Sequence, residues 1–188
     1  MKAIHLSRLL LVCLLAAGLA ACAGGRTEIE SDLGIKGAPD WVNEGSQALN
    51  NRDGRLIHGM GSAPKMTDAS LQRSTADDRA RAEVARVLSS FMNVVSNDFI
   101  ATAGSGDDML DEQAVSRSVE NVTRLNMSGT EIIGRWRDQK TGTVYSQAEL
   151  DLKRVKSVVG SANQMHDGLR NHFAQHGETL FDQYAGEK

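Results

Sequence analysis

Residues 130–152 read TEIIGRWRDQKTGTVYSQAELDL. Ile132, Gly134 and Trp136 alternate with Ile133, Arg135 and Arg137. After a break, Val144, Ser146, Ala148, Leu150 and Leu152 alternate with Tyr145, Gln147, Glu149 and Asp151. A period of two sends successive side chains to opposite faces of a strand, so the stretch predicts two strands. Asp138-Gln139-Lys140-Thr141-Gly142 supplies the turn between them, with Gly142 suited to a positive φ. On simple alternation Trp136 is expected between this hairpin and a helix.

A hairpin alone is marginal in water, so it needs a further strand and an apolar partner. Upstream, Arg55-Leu56-Ile57-His58-Gly59-Met60-Gly61-Ser62-Ala63 reads as a short strand that ends in small residues. Between this strand and the hairpin lies the strongest helical period in the chain. Ala80, Val84, Val87, Leu88, Phe91, Val95 and Phe99 recur at steps of three and four, with Arg79, Glu83, Arg86, Ser90, Asn93 and Asn97 on the other face. Asp68 or Ser70 is the expected start cap, and Gly104 and Gly106 the stop. A second helix is predicted from Asp107, whose first turns carry Asp107, Asp108, Asp111 and Glu112, with Val115, Val119 and Val122 as its apolar stripe and Gly129 as its exit.

After the hairpin, Lys153 to about Tyr184 carries a long helical pattern, with Val155, Val159, Ala162, Leu169, Phe173 and Leu180 on one side. Gly168 and Gly177 weaken it. Its outer part, with His166, His172, His176, Phe181 and Tyr184, is expected to overhang the sheet and meet a second copy or another protein. The order strand, helix, helix, hairpin, helix predicts an α+β fold: a small antiparallel sheet of about three strands packed against helices, with a long C-terminal helix.

The first residues have the parts of an export signal. Lys2 and Arg8 precede an apolar run from Leu9 to Leu19, which ends in small residues. The run is shorter than the roughly 20 residues a membrane-spanning helix needs. Leu19-Ala20-Ala21-Cys22 follows and resembles a bacterial lipobox, in which small side chains fit a signal peptidase and the cysteine thiol carries a diacylglycerol. Cys22 is therefore the expected lipidation site. A lipid anchor on Cys22 holds the chain on a membrane only if it carries more than one acyl chain, because a single chain binds marginally. With Ala23 and Gly24 after the cysteine rather than Asp, the outer membrane is the expected destination, with the domain facing the periplasm or the cell surface.

This reading divides the chain into a signal peptide over 1–21, a lipidated cysteine and Gly-containing tether over 22–38, an α+β domain over 39–152 and a C-terminal helical extension over 153–188. Of the two cysteines, Cys13 leaves with the signal and Cys22 takes the lipid, so no disulfide is expected in the exported part. Losing Lys2 and Arg8 from 21 basic residues, against 24 acidic ones, makes that part more acidic than the whole chain's formal −3. Nucleic-acid binders carry basic patches, so no nucleic-acid partner is expected.

Several short stretches add up to a resemblance. Pro39-Asp40-Trp41-Val42, His58-Gly59-Met60-Gly61-Ser62-Ala63, Ala80-Arg81-Ala82-Glu83-Val84-Ala85, Gly134-Arg135-Trp136-Arg137-Asp138 and Thr143-Val144-Tyr145-Ser146, in this order behind a lipobox, resemble the Lpp-twenty family of small bacterial lipoproteins. The resemblance covers roughly Pro39 to Leu152. It implies an α+β module without known catalysis, used in outer-membrane assemblies that include rings around the flagellar motor. It carries over no catalytic residue.

The residues themselves offer little chemistry. Gly59-Met60-Gly61 begins like a dinucleotide fingerprint, but Pro64 stands where the third glycine or alanine belongs, so close packing is the better reading. His172 and His176 lie one helical turn apart, a zinc-compatible spacing, yet Phe173 follows the first histidine and no third ligand clearly shares their face. Asp107, Asp108 and Asp111 lack the spacing of a calcium loop. Ser105 in Gly104-Ser105-Gly106 lacks the spacing of a nucleophile elbow. The expectation is thus no catalytic residue, no cofactor and no metal. The leading functional expectation is a structural or assembly role in a cell-envelope complex, flagellar rings included, through self-association or an envelope protein partner. The alternatives are an accessory regulator of a peptidoglycan synthase or other envelope enzyme, and a carrier of a small apolar ligand.

Overall fold

A computed structural model of the chain describes residues 33–43, 45, 54–103, 112–162 and 165–186, all within one compact unit spanning Asp32–Lys188. Its elements are α1 (Asp40–Asn43), β1 (Leu56–Ala63), α2 (Ala69–Ala103), α3 (Glu112–Met127), β2 (Glu131–Arg137), β3 (Val144–Asp151), α4 (Leu152–Ser161) and α5 (Asp167–Gly186). The fold is α+β, with one three-stranded antiparallel sheet in the order β1-β3-β2. No helix among the described residues is long and apolar enough to cross a membrane.

The long helix α2 starts where a cap stands. The Asp68 carboxylate accepts from the backbone N–H groups of Ser70 and Leu71 at 2.7 and 3.1 Å, two of the donors a helix start leaves unpaired. One face of α2 lies on the sheet through Ala76, Ala80 and Val84, and Leu88, Phe91, Met92, Val95 and Phe99 continue the buried row. The helix can come this close because Gly59 and Gly61 of β1 present no side chain to it. A methyl on Gly61 would stand 2.5 Å from the Ala76 carbonyl oxygen. The expected start of the second helix at Asp107 lies outside the described residues, and α3 is described from Glu112, with Val115, Val119 and Val122 buried.

The hairpin turn closes as its residues suggest. Asp138 accepts from the Lys140 and Thr141 backbone and from the Thr141 hydroxyl, while Gly142 takes a φ of +74°. These bonds, the Thr141 hydroxyl first, hold the Asp138 carboxyl below the usual carboxylate range. The Gln72 amide of α2 donates to the Gly142 carbonyl at 2.8 Å and to the Pro64 carbonyl at 2.9 Å, tying the helix start to the turn.

Trp136 is not between hairpin and helix. The pairing of β2 with β3 slips between Ile132 and Gly134. Ile132 pairs with Ala148 on the helix side, but Gly134 and Trp136 pair with Gln147 and Tyr145 on the opposite side. A bulge inserts one unpaired residue, and one extra residue exchanges the faces of everything beyond it. Arg135 therefore turns toward α2, where it meets Asp77 at 2.8 and 2.6 Å through both carboxylate oxygens. Ser146 of β3 donates to the same carboxylate at 2.7 Å. The Arg135 bond, with help from Ser146, holds the Asp77 carboxyl below its ordinary value against the opposing effect of burial.

The helical pattern that begins near Lys153 is two helices rather than one. Asp151 ends β3 and caps α4 through the Lys153 N–H at 2.8 Å. The α4 helix stops at Ser161, and the Ala162 carbonyl beyond it accepts from Arg170 at 2.6 Å. The break lets the long C-terminal helix, α5, fold back on α2 instead of overhanging the sheet. Phe91 of α2 meets Phe173 and Phe181 of α5 edge-on, at ring-centre distances of 6.2 and 5.2 Å. Leu169, Phe173 and Phe181 are buried, and Leu180 and Tyr184 are packed against the same core. Gly168 makes this return tight: a methyl there would stand 2.8 Å from the Phe99 ring. On the surface, Arg55 ahead of β1 joins Glu178 and Asp182 of α5 at 3.0 and 2.7 Å, and Lys156 of α4 joins Glu178.

Candidate functional site

The expected lipidation site, Cys22, lies outside the described residues, as do Ser105, Asp107, Asp108 and Asp111. Gly59, Met60 and Gly61 lie inside β1, where the glycines face α2, rather than in a phosphate-binding turn. A carboxylate oxygen of Asp98 on α2 accepts from His172 Nε2 at 2.7 Å, and the His172 ring lies 4.7 Å from that of His176. His166 and His172 both flank Phe99, at 5.7 and 5.6 Å. His172 ties α5 to Asp98 and Phe99 of α2, and His166, just ahead of α5, packs on the same Phe99. Among the described residues no group of three or more His, Cys, Asp or Glu side chains is placed to hold a metal ion.

The arrangement with chemical content is the face of the sheet turned away from α2. Strand register sets it out as three rows: Ser62, Tyr145 and Trp136; Met60, Gln147 and Gly134; His58, Glu149 and Glu131. At one end the Trp136 and Tyr145 rings lie 5.7 Å apart and tilted by 43°. Burial beside this ring raises the Tyr145 hydroxyl above its ordinary pKa, and the nearby Asp138 carboxylate adds to the effect. At the other end the His58 Nε2 is 2.9 Å from a Glu149 oxygen.

Trp41 of α1 reaches over the middle row. Gly134 leaves room for it: a methyl on Gly134 would stand 3.6 Å from Trp41 Cζ2 and 3.3 Å from Gln147 Oε1. The neighbouring Val42 is 1% exposed, which anchors this turn of helix. The turn is closed further by Asn43, whose side chain bonds both the N–H and the carbonyl of Ile35, at 2.9 and 3.1 Å.

Alternation predicts Trp136 on the helix side of the hairpin and gives Trp41 no position relative to the sheet. The signal that joins them is Gly134 beside a bulge, which alternation alone does not reveal. No protein-family model matches the chain, and no curated protein matches it.

Proposed function

We propose that the chain is exported, lipidated on Cys22 and held on the outer membrane facing the periplasm, where its domain serves as a structural component of a cell-envelope assembly. The observation that carries this reading is Leu19-Ala20-Ala21-Cys22 at the end of a short apolar run, followed within ten residues by the compact unit from Asp32. A stably anchored domain of this kind needs no membrane-spanning helix of its own, since two or more acyl chains suffice. The motif order from Pro39 to Ser146 supports a place beside the Lpp-twenty lipoproteins, flagellar members included.

The test is metabolic labelling with radioactive palmitate, followed by density fractionation of the envelope. The wild-type chain is expected to take up label and band with the outer membrane. Cys22→Ala is expected to lose the label and either leave the membranes or accumulate uncleaved. A Cys22→Ala chain that is processed and stays with the outer membrane sinks the reading.

A further inference from the structure

We infer that the outer edge of β1 pairs with β1 of a second copy, antiparallel and two-fold about His58, so that one sheet runs through both chains. This goes beyond the anchoring role and does not depend on it. The first observation is the direction of the β1 backbone. In an antiparallel ladder alternate residues bond the neighbouring strand, and the residues between them point the other way. The Leu152 N–H donates to the Arg55 carbonyl at 2.9 Å, one step before the pairing of Leu56 with Asp151. Ile57, Gly59, Gly61 and Ala63 therefore bond β3, while Leu56, His58, Met60 and Ser62 turn their N–H and C=O groups outward. Arg79 of α2 marks the same direction, because it donates to the Ser62 carbonyl at 2.6 Å. The outward groups of Leu56, His58 and Met60 have no partner among the described residues. Such a row is a template for an added strand.

The second observation is the difference between the two edges of the sheet. β2 carries Glu131, Arg135 and Arg137, and its register slips between Ile132 and Gly134. Charges and a bulge are the devices that keep an edge from pairing. β1 reads LIHGMGSA, without Lys, Arg, Asp, Glu or Pro, and keeps its register unbroken from Leu56 to Ala63. One edge is blunted and the other is not.

A second copy fits this edge residue by residue. Arg79 closes the open run at Ser62, which leaves Leu56, His58 and Met60, with His58 at the centre. A two-fold axis there sets His58 opposite itself and Leu56 opposite the copy's Met60, and each pair exchanges both of its N–H···O bonds. An apolar pair then stands on either side of the axis. Charge agrees. The flank of α2 that reaches this edge through Arg79 continues, at helical spacing, with Glu83 and Arg86. Gly59 lies beneath Ala80 and Val84, so an axis at His58 passes close to Val84, between Glu83 and Arg86. Each Glu83 is thereby turned toward the copy's Arg86.

The experiment measures the number of chains per particle by light scattering on a sizing column. It uses the full chain as the cell makes it, in an excess of polyoxyethylene detergent, over a range of concentrations. The expected result is a concentration-dependent dimer. Met60→Pro removes an outward N–H that β3 does not use, and proline is tolerated at such edge positions. It is expected to weaken self-association at least about tenfold with little change in melting temperature. If Met60→Pro does not fold, Leu56→Lys, which places a charge on the edge, takes its place. Residues paired across such an axis have Cα atoms about 5.5 Å apart, within the range a disulfide spans. His58→Cys is therefore expected to give a dimer on a non-reducing gel that wild type and Gln139→Cys, in the hairpin turn, do not. A single chain per particle at every concentration, as when another protein takes the edge, overturns the proposal. So does association that survives a folded edge variant, or a folded His58→Cys chain that does not crosslink.

Discussion

Gly59 of β1 lies directly beneath Val84 of α2: a methyl built on Gly59 would stand 2.6 Å from the Val84 backbone nitrogen. Backbone-level contact of this kind cannot be relieved by turning a side chain. Gly59→Ala is therefore expected to push α2 off the sheet and destabilise the domain by about 1–3 kcal/mol or more. Val84→Asp, which places a charge at a fully buried position on the other side of the contact, is expected to prevent folding. Thermal melts followed by circular dichroism measure both. A Gly59→Ala melting point within a degree or so of wild type shows that the contact is not close.

Asp77 makes the domain sensitive to acid in a defined direction. Its folded-state pKa is lowered, chiefly by the Arg135 hydrogen bond. Such a group contributes stability above its unfolded pKa of about 3.9, and that contribution disappears as pH falls through the lower folded value. Asp77→Asn is expected to cost about 1–2 kcal/mol at neutral pH, a modest figure because the Arg135 side chain is nearly half exposed. The decisive comparison is urea unfolding between about pH 6 and pH 3. The wild-type stability should fall more steeply on acidification than that of Asp77→Asn, with Asp68, Asp138, Glu178 and Asp182 keeping part of the slope in both. Parallel curves would remove Asp77 from the acid response.

The C-terminal helix belongs to the core rather than to an overhang. Ending the chain after Gly168 removes Leu169, Phe173 and Phe181, all buried. Each large side chain lost from a core costs roughly 2–5 kcal/mol, and domains of this size are stable by about 5–15 kcal/mol in total. The truncated chain is expected to lose cooperative unfolding. A sharp, cooperative melt in the truncated protein would show that the sheet, α2 and α3 suffice without it.

The sequence by itself determined the α+β class, the three strands, the long helix with a cap at Asp68 or Ser70, of which the structure selects Asp68, and the hairpin turn around Gly142. These are local properties: a period of two or 3.6, a carboxylate beside free N–H groups, and a glycine where φ is positive. The sequence alone also supplies the reading of Cys22, because a lipobox is recognised as a linear peptide. Three features were decided only by tertiary structure. The bulge at Ile133 moved Trp136 to the outer face and turned Arg135 inward, since an extra residue in a strand is defined by its partner strand and leaves no period of its own. The break after Ser161 divided one continuous helical pattern in two, and the second helix packs Phe173 and Phe181 edge-on against Phe91, a contact between residues far apart in sequence that no local period encodes. Trp41 lies against Gly134 beside Gln147, with Trp136 in the next row, and only the register of the sheet and the vacancy at Gly134 bring these distant residues together.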